Sequence, residues 1–266
     1  MRPSWLLVLL VACDSGSPSP YGNKPHVMGR AGVLSVHGTL AEAQRDFPEL
    51  GAEGGVGDFV DGTTHYRVFF TPGGRVESIY VYMPGKLSDL EAGWGRGTRG
   101  EFAGRPANFY FNAAEAVAYI AFDSERELIV AARPYLPLSK VWDDGPDIRV
   151  FGLDLLGKPL ADDVAALDAL GLETRPTDDK HVMRSTGSPM SDAGAVEWSL
   201  ESNENSRVTK LTVVIGPYDV PSNVPAMDAR FVEKWGRPTM VGRQLRFPVE
   251  PHQIVEYHDK DIWITE

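Results

Sequence analysis

From residue 65 the chain alternates apolar and polar positions with a period of two. HYRVFFT (His65 to Thr71), a P-G-G turn and VESIYVYM (Val76 to Met83) are rich in β-branched and aromatic residues and read as a hairpin. Within its second strand Ile79 and Val81 take one parity and Tyr80 and Tyr82 the other. The two tyrosines therefore share the face opposite the aliphatic pair. Helical spacing appears only in short pieces. Thr39 with Glu42 forms a capping box before AEAQRDF, and Ser88 with Glu91 forms a second, opening a helix through Trp94. Pro159 suits the first turn of a third helix, which Gly171 ends, and Met227, Phe231 and Trp235 recur at helical spacing in AMDARFVEKW (Ala226 to Trp235). Three further strands are expected at the end of each half.

The pattern repeats. RVESIYVYMPG (Arg75 to Gly85) matches RVTKLTVVIGP (Arg207 to Pro217), and GWGRG (Gly93 to Gly97) matches KWGRP (Lys234 to Pro238). VAYIAFDSERELIV (Val117 to Val130) matches QIVEYHDKDIWIT (Gln253 to Thr265), and VHGTLAEAQRDFPELG (Val36 to Gly51) matches LLGKPLADDVAALDALG (Leu155 to Gly171). Four blocks in one order point to duplication, against the alternative that two α+β domains share common strand and helix patterns. The predicted fold is α+β: two tandem similar domains, 30–135 and 148–266, each a mostly antiparallel sheet with short helices packed on one face. The other face is expected to be partly wet. A proline-rich linker over 136–147 separates the two, and TRPTDDKHVMRSTGSPMSDAG (Thr174 to Gly194) reads as a mobile insertion, with a binding element as the other reading.

Composition narrows the classes. The 266 residues carry a formal charge of −11, which argues against a nucleic-acid binder, because phosphate contacts need a basic footprint. At the N-terminus Arg2 precedes an apolar run from Trp5 to Ala12 that rises roughly 12 Å as a helix, too short for a hydrocarbon layer of roughly 30 Å. The segment L-V-A-C (Leu10 to Cys13) resembles the lipobox of bacterial lipoproteins. This resemblance covers the first 13 residues and implies a signal peptide over 1–12, a lipidated Cys13 as the mature N-terminus and a location in the cell envelope, anchored in a membrane. Cys13 is the sole cysteine, so no disulfide can form within the chain. Residues 13–29, rich in Ser, Gly and Pro, read as a solvated tether. Asp14 resembles the inner-membrane retention signal of enteric bacteria; either leaflet stays open.

Gly95, Gly97 and Gly100 match the spacing G-x-G-x-x-G, but they follow a predicted helix and precede a strand, the reverse of a dinucleotide loop. Pro238 at the place of Gly97 has no N–H to offer a phosphate, so Gly95 and Gly236 read as helix stops. Trp94 and Trp235 then read as core anchors, and Arg96 and Arg237 as cations placed to meet the last helix carbonyls. All four, with Tyr80 and Tyr82, are also candidate contacts for a partner. The six histidines lack metal-site spacing, and Asp143–Asp144, Asp162–Asp163 and Asp178–Asp179 read as solvated acids. No catalytic motif, cofactor or metal site is expected.

The order of elements, with a glycine, a short helix and a leucine-glycine end in GTLAEAQRDFPELG, also resembles small periplasmic α+β modules such as BamE-like lipoproteins and tandem β-lactamase inhibitor proteins. The second helix expected after that pattern is missing, so the resemblance bears on fold class alone. The sequence thus predicts a non-enzymatic, lipid-anchored envelope protein that presents a sheet face, or the groove between its halves, to a protein partner. An envelope hydrolase with a site assembled from distant residues, and an inhibitor or immunity-type protein, are the alternatives.

Overall fold

The computed structural model describes residues 34–141, 149–192, 194–216, 233, 236–237, 239–241, 244–249, 253–258 and 261–265. Cys13, Trp235, residues 142–147 of the predicted linker and, apart from position 233, the 226–235 helix lie outside the described residues.

The chain is mostly antiparallel β-sheet with a few short helices. Helix α1 (Leu40–Asp46) opens on the predicted capping box: Thr39 Oγ1 accepts from the Glu42 N–H at 3.3 Å, and the Thr39 N–H donates to the Glu42 carboxylate at 2.8 Å. Strands β1 (Gly51–Glu53), β2 (Val56–Asp61), β3 (Thr64–Phe70) and β4 (Val76–Met83) form a meander. Helix α2 (Leu87–Trp94) then crosses to a second meander, β5 (Thr98–Phe102), β6 (Arg105–Asn112), β7 (Val117–Asp123) and β8 (Leu128–Pro134), whose last strand pairs with β4. The order across this sheet is β1-β2-β3-β4-β8-β7-β6-β5.

Helix α3 (Leu138–Val141) and helix α4 (Leu160–Ala169) precede the second sheet. Its strands are β9 (Thr174–Pro176), β10 (Val182–Ser185), β11 (Met190–Ser191), β12 (Gly194–Ser202), β13 (Val208–Ile215), β14 (Thr239–Val241), β15 (Gln244–Val249), β16 (Gln253–His258) and β17 (Asp261–Thr265). They run in the order β14-β15-β16-β17-β13-β12-β10-β9, with β11 off the path against β12. Read from the other edge, this is the first sheet's order: a meander whose fourth main strand receives the last strand of the next. Local details agree as well. The Leu40 N–H donates to the Gly74 carbonyl and the Leu160 N–H to the Ser206 carbonyl, both at 2.8 Å, so each helix start is pinned to the turn of a hairpin. Gly74 and Ser206 both take positive φ there, at 78° and 57°.

Several expectations need correction. Ser88 and Glu91 do not cap α2. The helix starts at Leu87, where the Lys86 N–H donates to the Asp89 carboxylate at 3.0 Å, and Glu91 accepts from Asn108 Nδ2 at 2.7 Å instead. Four strands, not three, follow α2, because β5 is an exposed edge with only Phe102 buried and offers no apolar run to read. The described residues of 174–192 include strands β9, β10 and β11, with Ser185, Met190 and Ser191 buried, so this part is built into the sheet and is not a mobile insertion. Within the predicted linker, α3 buries Leu138 and Val141 in the second core. Asp163 is not solvated: it lies 3% exposed on the inner side of α4, at the position that buried Ala43 takes on α1.

The first sheet is apolar on both faces. One face packs against α1 and α2 through Phe47, Phe59, Tyr66, Val68, Val81 and Tyr110. The other, expected to be partly wet, is buried over β5 to β8 by Phe109, Phe111, Ile120 and Phe122, with Met190 and Ala195 joining from the second sheet. Only its β2 to β4 end is half-exposed, and Tyr80 and Tyr82 stand there on the face predicted from their parity. The second core gathers α3, α4, Trp198, Leu200, Leu211 and Val213.

Candidate functional site

A cavity of about 690 Å³ opens between the β3–β4 hairpin and the second core. Its size falls in the range of small-molecule sites. The hairpin supplies Arg75, Val76 and Glu77, and the chain before α1 supplies Val36 and His37. The opposite wall consists of Leu170 to Glu173 after α4 and of Thr186 to Pro189, while Tyr135, Phe151 and Trp198 give it an aromatic lining. Lys140 of α3 stands beside it.

Backbone geometry explains why Glu77 lies there. The β3–β4 ladder pairs Phe69 with Ser78 and then slips to pair Phe70 with Val76, leaving Glu77 as the extra residue of a bulge. A bulge removes one residue from the inward–outward alternation and re-aims its side chain. Among the described residues no hydrogen bond or ion pair reaches the Glu77 carboxyl, and burial pushes its pKa above the ordinary value, with the Arg133 charge pulling the other way. Across the cavity Glu173 is held by the Thr186 hydroxyl, which donates to Oε2 at 3.2 Å. Its carboxylate rests where Gly73 has no side chain; a Cβ at Gly73 would stand 1.7 Å from Oε1.

His37 is tied to the backbone, with Nε2 3.0 Å from the Glu115 carbonyl, and burial lowers its pKa. Trp198 is 2% exposed and meets Phe151 edge-on at 5.2 Å, and its buried indole Nε1–H finds no acceptor among the described residues. The Arg75 guanidinium and the Lys140 ammonium are exposed and make no hydrogen bond or ion pair among the described residues. The cavity therefore joins an apolar lining to two exposed cations and one half-buried carboxyl that make no hydrogen bond or ion pair among the described residues, while the Trp198 donor is sealed within its wall. Among the described residues no three His, Cys, Asp or Glu side chains are grouped to hold a metal ion.

The residues singled out in the sequence lie elsewhere. Trp94, half-buried, packs on Tyr110 and Tyr119 at 5.3 and 5.6 Å, against the first core but not inside it. Gly95 closes α2 at φ 80° and ψ −179°, and Gly236 has φ 81°, conformations that suit glycine. Arg96 is exposed and does not bond the helix carbonyls; the Gly95 carbonyl accepts instead from the Tyr110 hydroxyl at 3.1 Å. Arg237 is exposed. Tyr80 and Tyr82 belong to an aromatic strip: Tyr82 stacks on His65 at 5.1 Å, and Tyr80 meets Phe69 edge-on at 5.4 Å. Beside them Asp58 accepts from both Arg67 and His65 at 2.9 Å; burial raises its pKa, but the two bonds and the charges behind them outweigh it and hold the carboxyl below the usual range.

Reading the sequence missed the cavity because its walls come from segments about 100 residues apart. One signal was present. In VESIYV the apolar positions fall at 76, 79 and 81, an odd step that marks a bulge at Glu77. No protein-family model, no curated protein and no solved structure matches this chain.

Proposed function

We propose that this chain is a lipid-anchored binding protein of the bacterial envelope that receives its ligand in the cleft between two halves of one duplicated plan. The cleft carries the reading: a half-open, partly apolar space of about 690 Å³ whose walls come from both halves and in which Arg75, Glu77 and Lys140 make no hydrogen bond or ion pair among the described residues. The shared strand order and the matching pin between helix and hairpin in each half support duplication into two tandem domains. The lipobox-like LVAC segment supports acylation at Cys13 and a membrane location, with the tether letting the body stand off the lipid surface.

Gly187 offers the test. It lines the cleft, and a Cβ there would meet only Thr71 and Glu77 side-chain atoms at 3.7 and 3.8 Å, so Gly187→Phe fills the space without a clash at its Cβ. Thermal unfolding of the full chain in detergent, with and without the small-molecule fraction of an envelope extract, should show a rise of several degrees in the parent and none in the variant. Equal behaviour of the two proteins contradicts the reading.

A second reading, an envelope hydrolase, draws on Glu77 and Glu173, since a carboxyl with a raised pKa can serve as a general acid. The His37 ring, the other candidate base, is bonded to a backbone carbonyl rather than to either carboxylate. Turnover of an envelope-derived substrate that Glu77→Gln abolishes is the result this reading requires.

A further inference from the structure

β5 is the longest sheet edge among the described residues. The other edges of the two sheets, β1, β9 and β14, span three residues each, and β9 ends in Pro176, which has no N–H to offer a neighbour. β5 spans five residues without a proline, and Thr98, Arg99 and Glu101 are exposed. We propose that this edge is a homodimer interface, in which β5 pairs antiparallel with β5 of a second copy about a twofold axis through Gly100. The cleft plays no part in this pairing.

The β5–β6 hairpin decides which backbone groups are free. Phe102 and Arg105 flank a two-residue turn, Ala103 and Gly104, with φ of 52° and 72°. A turn with both central residues at positive φ is closed by a pair that exchanges both of its N–H···O bonds. Alternation then makes Gly100 and Ala107 the next bonded pair, and leaves Glu101 opposite Pro106 and Arg99 opposite Asn108 unbonded. Pro106, without an N–H, fits that place. The N–H and C=O groups of Arg99 and Glu101 therefore point away from β6 into the open edge, where they are available to another strand.

The side chains select the partner. Arg99 and Glu101 make no hydrogen bond or ion pair among the described residues. Antiparallel pairing of T-R-G-E-F with itself about Gly100 sets Arg99 of each copy opposite Glu101 of the other, so two opposite-charge pairs form, each within a bonded pair. Gly100 then faces Gly100 in the non-bonded pair between them, where the backbones come closest and no side chain stands in the way. The same charges reject other alignments. A shift of two residues either way sets Arg99 against Arg99 or Glu101 against Glu101, and a parallel alignment in register brings both like pairs together. An unrelated extended segment uses the same backbone groups, but it matches both charges only if it too reads basic-x-acidic, as β5 itself does.

Sedimentation equilibrium of the full chain in density-matched detergent, over a range of concentrations, tests the pairing. The parent should associate to a dimer. Arg99→Glu and Glu101→Arg should each weaken dimerisation about tenfold or more, because either swap turns both cross-copy pairs into like-charge pairs. The double variant, Arg99→Glu with Glu101→Arg, restores two opposite pairs and should recover the parent's dimerisation. Thermal unfolding of dilute samples checks that every variant folds. A parent that stays monomeric at every concentration overturns the inference, and so does a dimer that the single swaps leave intact or that the double swap fails to restore. Capture of a different protein by a photo-reactive side chain at Thr98 in whole cells, with no second copy in the product, assigns the edge to that protein and overturns it as well.

Discussion

Tyr135 and Met190 face each other across a parallel bridge, and every other strand pairing among the described residues is antiparallel. Two hydrogen bonds reinforce this joint between the sheets. The Leu136 N–H donates to the Met190 carbonyl at 2.8 Å, and the Leu138 N–H donates to Asp192 Oδ2 at 3.2 Å. The Tyr135 hydroxyl donates to the other oxygen of the same carboxylate. Because Tyr135 and Leu136 also line the cleft, the joint fixes the spacing of its walls.

Asp192→Ala should therefore cost about 1–3 kcal/mol, since it leaves the Tyr135 hydroxyl and the Leu138 N–H without their acceptor. For a chain of this size that is a fall of about 2–4 °C in melting temperature per kcal/mol, readable by calorimetry. Tyr135→Phe should cost less, because the backbone bond remains. No change in either variant means that the joint contributes nothing to stability.

Asp163 predicts a pH dependence. Burial pushes its pKa up to about 6, with Lys158 pulling the other way, and Oδ2 has no partner among the described residues. The native state thus holds a proton that the unfolded chain releases near pH 4, and stability falls as pH rises from about 4 to about 6, then stays lowered. Asp163→Ala, which reproduces the buried Ala43 of α1, should flatten this slope and raise stability at pH 7 by about 1–3 kcal/mol. Denaturant melts at pH 4, 5, 6 and 7 decide it; a variant that is less stable at pH 7 contradicts the assignment.

Two neighbouring glycines should respond with opposite signs. Gly93 sits in the last turn of α2, where a Cβ meets nothing within 4 Å, so Gly93→Ala should stabilise by about 0.5–1 kcal/mol. Gly95→Ala forces a Cβ into φ 80°, ψ −179° and should cost about 1–3 kcal/mol. Equal effects in urea melts exclude the helix-stop account of the GWG stretch.

The parts legible in the sequence were those fixed by neighbours in the chain. Thr39 with Glu42, the β3–β4 hairpin, the opposite parity of Tyr80 and Ile79 and the glycine stops all follow from residues within a few positions of one another. Asp163 was misread because a charge in a first helical turn normally favours solvent and the dipole, and only the packing of α4 turns it inward. β5 and β9 were invisible because an exposed edge strand needs no apolar face. The cleft was beyond reach for another reason: Arg75, Lys140, Glu173 and Trp198 converge only after the sheets have met at Tyr135 and Met190.

Cys13→Ser should stop incorporation of labelled palmitate and move the chain from the membrane to the soluble fraction of a bacterial host, because the apolar run before it is too short to span. Retention of label at any other residue contradicts the lipobox reading.

The central claim, a tethered protein that carries a ligand in its cleft, is tested most directly by native mass spectrometry of the chain gently extracted from bacterial membranes. The predicted spectrum shows a chain that begins at an acylated Cys13 and carries a bound molecule of a few hundred daltons, with the bound molecule absent from Gly187→Phe. An unacylated chain that retains residues 1–12 and has nothing bound contradicts it.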